Sequence, residues 1–231
     1  MSSPVILVTG AFGALGQAVA RTLAGQGARL GLVDAAPGVP PALAEEFKAQ
    51  LLLPAVDLSD ADATRQAVAR IEGHFGAVDG LVNIAGGFRW ETLEAGSAAT
   101  WQAMFTINLL TAVNTCQAVL PGMLARGRGR IVNIGAGAAA KAGAGMGAYA
   151  ASKAGVMRLT EALAEETKQR GITVNALLPS IIDTPANRRD MPDADFTRWV
   201  APQALADVVA FVLSDAARAI TGAGIAVNGQ V

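Results

Sequence analysis

Tyr149, the single tyrosine of the chain, stands four residues ahead of Lys153 in the run Ala148-Tyr149-Ala150-Ala151-Ser152-Lys153. At that spacing on a helix the two side chains share one face, a turn apart. An ammonium there favours phenolate over phenol and is expected to draw the phenol below its usual pKa of about 10. Such a group suits proton transfer near neutral pH. The pair alone also fits an ordinary solvated helix face, so its meaning depends on the rest of the chain.

Other residues point the same way. Thr9-Gly10-Ala11-Phe12-Gly13-Ala14-Leu15-Gly16 follows an apolar run and opens a helical pattern. Glycines in such a turn let a backbone approach a pyrophosphate, and the free N–H groups of the helix start can bind it. Asp34 closes the second apolar run, 18 residues after Gly16. A carboxylate there accepts from both ribose hydroxyls and repels a 2′-phosphate, which favours NAD(H) over NADP(H). Asp57-Leu58 suits an adenine edge or, equally, a helix N-cap. Asn83-Ile84-Ala85-Gly86-Gly87 ends a further run, and Asn108 lies among apolar neighbours. A buried asparagine must satisfy its amide, whether as a brace for a distorted helix or within a proton relay. Pro179, Ile182 and Thr184 follow the sixth apolar run. Thr184 Oγ, or the backbone near Ile182, suits a carboxamide; a plain helix cap is the alternative.

These residues need elements to hold them. Apolar runs at Val5–Thr9, Arg29–Val33, Leu51–Val56, Gly80–Asn83, Arg130–Ile134, Thr173–Leu178 and Gly224–Val227 read as strands. Helical patterns at 14–26, 41–49, 60–75, 98–126, 147–170 and 202–215 alternate with them. Apolar strands each followed by a helix give a parallel sheet covered on both faces, doubly wound as a single α/β domain over 1–231. In that architecture ligands lie beyond the carboxyl ends of the strands, where the residues above fall. Asp183–Pro202, with its prolines and mixed charges, reads as a mobile flap over the site.

Composition narrows the function. The chain has 231 residues and a net charge of −1, without the basic stripe of a nucleic-acid partner. Ala95–Ala125 carries no charge, but Gln102, Asn108, Asn114, Gln117 and Pro121 argue for a helix buried in protein rather than lipid. The start of the chain reads as a strand, not a signal peptide. Cys116, the single cysteine, suits a buried thiol in a reducing compartment, so a cytoplasmic location is expected. His74, the single histidine, lies at a helix end remote from the strand tips. Neither a metal site nor a Ser-His-acid triad is expected.

Taken in order, Thr9-Gly10…Gly16, Asp34, Asn83-Ile84-Ala85-Gly86, Asn108, Tyr149-x-x-x-Lys153 and Pro179…Thr184 resemble the short-chain dehydrogenase/reductase family across nearly the whole chain. The resemblance implies a homo-oligomeric Rossmann-fold enzyme moving hydride between a nicotinamide and a small carbonyl or alcohol. It implies Tyr149 as acid/base, Lys153 on the nicotinamide ribose and Asn108 holding a water of the relay. The helices carrying Asn108 and Tyr149 would build a dimer or tetramer interface.

The chain also departs from the family. The serine usual thirteen residues before the tyrosine is Ala136, Gly13-Ala14 stands where glycine at 14 is usual, and Ser180 follows Pro179 in place of glycine. A lost hydrogen bond to developing charge costs on the order of a hundredfold in rate. Ala85-Gly86-Gly87, Gly135-Ala136, Gly145-Met146 and the stretch from Leu178 through Asn187 to Trp199 resemble the dihydropteridine reductase branch. That branch has alanine at the serine position and reduces a quinonoid dihydropterin with NADH. Phe88, Trp90, Ala136, Met146, Asn187 and Trp199 are expected to line the substrate pocket, with the aromatic rings suited to stack on a flat heterocycle. A 3-oxoacyl or other small carbonyl is the competing substrate. A non-catalytic NAD-binding regulator is the reading from a different class, supported by the missing serine alone.

Overall fold

A computed structural model describes residues 3–231. Seven parallel strands form one sheet: β1 (Val5–Thr9), β2 (Arg29–Val33), β3 (Leu51–Leu53), β4 (Gly80–Asn83), β5 (Gly129–Ile134), β6 (Ile172–Pro179) and β7 (Gly224–Val227). Their order is β3-β2-β1-β4-β5-β6-β7, so the winding reverses between β1 and β4 and opens a crevice there. The helices are α1 (Ala14–Gly25), α2 (Pro41–Glu46), α3 (Ala61–Phe75), α4 (Ala98–Phe105), α5 (Thr111–Arg126), α6 (Gly147–Thr167), α7 (Pro185–Asp190) and α8 (Pro202–Leu213).

The alternation of side chains along each strand divides the core in two. Ile6 and Val8 of β1 join Leu30 and Leu32 of β2 against Val19 and Leu23 of α1 and Leu205 and Val209 of α8. Val5 and Leu7 face the other way, onto Val68 and Ile71 of α3 and Val119 and Met123 of α5. Both faces are therefore dry, which is why the strands read as continuous apolar runs.

Two expectations change. β3 stops at Leu53 rather than Val56, because Pro54 donates no hydrogen bond and Ala55 turns to φ 55°. The helix expected over 98–126 is interrupted by a π-turn at Thr106–Leu110, which sets α4 and α5 apart. Its inner face carries Asn108, Thr111, Asn114 and Thr115, all buried and all hydrogen-bonded to protein. The segment Asp183–Pro202, the least regular by sequence, contains α7 and a 3-10 turn at Phe196–Arg198. Ile182 bridges Val200 in parallel, and Asp183 N–H donates to the Val200 carbonyl at 2.8 Å. Arg188 pairs with both Asp183 oxygens at 2.6 and 2.8 Å and lies over the Phe196 ring.

Candidate active site

The turns after β1 and β4 are stitched side by side. Thr9 Oγ accepts from the N–H groups of Ile84 and Ala85 at 3.0 and 3.1 Å. Gly10 has φ 60°, and a Cβ there would stand 2.9 Å from Ala85 N. A Cβ at Gly16 would overlap the Gly10 carbonyl, so glycine at 16 lets α1 start directly beneath the turn. Gly13 is the N-cap of α1 and gives no side-chain cap, while Gly13 and Ala14 are exposed and Phe12 and Leu15 buried. An uncapped helix start with its donors free, in a cradle that side chains would fill, fits a pyrophosphate.

Asp34 completes this end. Its Oδ2 accepts from Phe12 N–H and its Oδ1 from Ala36 N–H, both at 2.9 Å. A carboxylate has about four acceptor sites, so acceptors remain for a ribose diol. Asp57 is exposed and accepts from Ser59 N–H and Oγ at 2.9 and 2.7 Å, which holds its carboxyl below the usual range. The N-cap of α3 is Asp60, not Asp57. Leu58 is buried, and its carbonyl accepts from Asn114 Nδ2 at 2.9 Å.

Lys153 lies between the tips of β4 and β5. Its Nζ donates to the Ile134 carbonyl at 2.8 Å, and a Cβ at Gly86 would come within 3.5 Å of it. Burial lowers its pKa to about 8. Tyr149 stands one turn earlier on α6, with its ring edge against Phe88. Burial pushes its phenol up to about 12, opposite to the lowering expected from its lysine neighbour. The phenol is largely withdrawn from water, although the residue as a whole is only half-buried, and the ammonium is turned onto the Ile134 carbonyl. Burial thus favours the neutral phenol at Tyr149 and weakens the hold of Lys153 on its proton.

Asn108 is 2% exposed. Its Oδ1 accepts from Gly87 N–H at 2.9 Å, and its Nδ2 donates to the Gly87 carbonyl and to Ser152 Oγ, both at 3.0 Å. The side chain therefore clamps the turn after β4 onto α6. The Asn83 amide is taken up in the core, donating to Asn133 Oδ1 at 2.9 Å and accepting from Thr115 Oγ at 2.6 Å. Only the backbone of Asn83, with Ala85 and Gly86, is left for a ligand.

The rim is built from two loops. Trp90 Nε1 donates to the Ala144 carbonyl and Glu91 N–H to the Gly145 carbonyl, at 2.9 and 2.8 Å. Gly145 has φ 72°, and any side chain there would overlap the Trp90 indole. Met146 starts α6 beneath this strap. Ala136, 6% exposed, ends the extended stretch after β5 and presents only a methyl. Pro179 ends β6, and Ser180 donates its hydroxyl to the Asn228 carbonyl at 2.6 Å. Thr184 is the N-cap of α7, accepting from Asn187 N–H, while Asn187 Nδ2 donates to the Ile182 carbonyl at 2.7 Å. Trp199 does not offer a free face. It is 7% exposed and packs on Phe196. His74 is exposed in the last turn of α3.

The site thus gathers Tyr149, Lys153, Asn108, Phe88 and the glycine turn, and leaves Trp199 and the Asn83 amide in the core. Sequence reading missed Ser152, although its place three residues after Tyr149 puts it on the same helical face.

The profile of the short chain dehydrogenase family matches residues 4–195. Nodulation protein G of Azospirillum brasilense is 36% identical, covering 99% of this chain and 98% of its own. The 3-oxoacyl-[acyl-carrier-protein] reductase FabG of Escherichia coli is 32% identical over 97% of this chain and 96% of its own. The crystal structure of an oxidoreductase from Burkholderia thailandensis superposes with a TM-score of 0.88 at 33% identity, covering 99% of this chain and 92% of that one. With a doubly wound sheet, an uncapped helix start beside the crevice and a tyrosine one turn from a buried lysine at the strand tips, the chain belongs to the short-chain dehydrogenase/reductase family of oxidoreductases.

Proposed function

We propose that this protein is an NAD(H)-dependent reductase in which Tyr149 hands a proton to the acceptor. The observation that carries the reading is the placement of the half-buried Tyr149 one helical turn from Lys153, whose ammonium reaches the strand tips beside Gly86. A bound nicotinamide supplies the hydride. Gly10, Phe12, Gly13, Ala14, Leu15 and Gly16 would hold its pyrophosphate, Asp34 its adenosine ribose, and Asp57 and Leu58 the adenine edge. Ala85 and Gly86 would floor the crevice, and Pro179, Ile182 and Thr184 would meet the carboxamide. Lys153 would hold the nicotinamide ribose and balance the phenolate left when Tyr149 gives up its proton. Preference for NAD(H) over NADP(H) rests on Asp34, whose charge opposes a 2′-phosphate.

Ala136 offers the acceptor no hydroxyl. An acceptor that needs none there is a flat, conjugated imine of the quinonoid dihydropterin type, with Phe88, Trp90, Met146 and Asn187 around it. A 3-oxoacyl or similar carbonyl is the second reading, favoured by the likeness to FabG along nearly the whole chain. Two copies would meet on the face of α4 and α6, where Trp101 and Phe105 are exposed beside a shallow cavity of about 500 Å³. Cys116 is buried, with its thiol pushed up to about 12, and suits a cytoplasmic setting.

The test is Tyr149→Phe assayed with NADH against quinonoid dihydropterin, acetoacetyl thioesters and simple ketones. Turnover should vanish with NADH binding near wild type. An active variant would remove Tyr149 as the acid, and a wild type silent on every acceptor would favour a binding protein.

A further inference from the structure

Three hydrogen bonds run head to tail from the turn after β4 to the start of α6. Gly87 N–H donates to Asn108 Oδ1 at 2.9 Å, Asn108 Nδ2 to Ser152 Oγ at 3.0 Å, and Ser152 Oγ to the Tyr149 carbonyl at 2.7 Å. All the donations point one way, so each bond polarises the next. Asn108 and Ser152 are each 2% exposed, which keeps water from competing.

The middle of this chain demands a hydroxyl. Only a group that accepts from an amide and donates to a carbonyl through one atom can sit between Asn108 and Tyr149. Alanine at 152 would leave one amide N–H of Asn108 with only the distant Met104 Sδ at 3.9 Å, and the link from the Gly87 turn to the Tyr149 carbonyl would be cut while Asn108 stayed held by Gly87 alone. Phe88 follows Gly87 directly and lays its ring against Tyr149. The turn after β4 therefore grips Tyr149 twice, by its ring through Phe88 and by its backbone through Ser152.

We propose that Ser152 is a positioning residue for the proton donor, holding the turn of α6 that carries Tyr149 at a set height against Gly86-Gly87. It touches no reacting atom. The proposal rests on the role given to Tyr149 above, and deepens it.

The test uses the full chain with Ser152→Ala and Ser152→Thr. Threonine keeps a hydroxyl that can accept from Asn108 and donate to the Tyr149 carbonyl. The first readout is steady-state kinetics on the acceptors named above. Ser152→Ala should lower kcat about tenfold, the size set by one unsatisfied buried group, with the Kd for NADH within about twofold of wild type. Ser152→Thr should restore kcat.

The second readout needs no turnover. Tyr149 is the only tyrosine, so 13Cζ-tyrosine labelling gives one resonance whose pH titration follows its phenol in the NAD⁺ complex. Ser152→Ala should shift that titration, and Ser152→Thr should return it. An alanine variant with wild-type kcat and titration, or one that loses only thermal stability, overturns the proposal. So does a threonine variant as impaired as alanine. If no acceptor is turned over, an unchanged titration suffices to overturn it. Activity surviving in Tyr149→Phe would instead defeat the acid assignment, whatever the Ser152 variants do.

Discussion

The Phe88 ring meets the Tyr149 ring edge to face, with centroids 5.0 Å apart and planes at 83°. Phe88 is 53% exposed, so one side of it shields the phenol while the other remains open to an acceptor. An aromatic pair of this geometry contributes about 0.5–1.5 kcal/mol beyond its buried area. Phe88→Ala is expected to raise the acceptor KM about three- to tenfold. It should also let water reach the phenol and bring its pKa down from about 12. Steady-state kinetics and the titration of the single tyrosine check the two parts separately.

Lys153 sets a basic limit. With its pKa lowered to about 8, kcat/KM for NADH-dependent reduction should be level below that pH and fall above it as the ammonium is lost.

The same lysine affects folding with a definite sign. Its folded pKa of about 8 lies below the ordinary 10.5, so between those values the unfolded chain binds more protons. Stability from this group therefore rises with pH across that window. Tyr149 acts the other way, but only above its ordinary value of 10.0. Urea midpoints followed from pH about 8 to 10.5 should show the rise in wild type and lose it in Lys153→Met.

Asp34→Ala removes the acceptor that Phe12 N–H and Ala36 N–H share. Charged hydrogen bonds contribute about 1.5–3 kcal/mol each, so the KM for NADH should rise at least about tenfold. The gap between NADH and NADPH should narrow as the repelling charge goes. Initial rates with both coenzymes measure it, and an unchanged ratio would take Asp34 out of the ribose site.

Ala136→Ser places a hydroxyl at the end of the extended stretch after β5, where only a methyl now stands. Turnover of an acetoacetyl thioester is expected to rise by about tenfold or more, with dihydropterin reduction little changed. Equal gains on both acceptors would count against an acceptor that has no use for the serine.

Much of this architecture was legible because each strand is dry on both faces. Val5–Thr9 and Arg29–Val33 stand out as apolar runs, and the turn between Thr9 and Gly16 marks where the first helix starts. The π-turn at Thr106–Leu110 was hidden, since the apolar pattern continues through it and only Asn108 betrays it. Trp199 reads as a free ring because its packing on Phe196 depends on the turn at 196–198, which no spacing marks. Tyr149 and Lys153 were found by spacing, yet the direction of the lysine depends on the Ile134 carbonyl, a backbone group that no side-chain motif reveals. Thr184 and Ser180 carry hydroxyls whose partners are local, and the same residue types would suit a cap or a ligand contact.

Trp90 and Gly145 make the two rim loops one inheritable unit. A chimera that imports residues 140–146 from a relative without the matching 86–96 segment would lose the Trp90–Ala144 hydrogen bond wherever the turn differs, and any residue other than glycine at 145 would drive a side chain into the indole. Recombination that respects this pairing should yield variants with altered acceptor choice, whereas exchange of the 140–146 loop alone should displace the exposed rim.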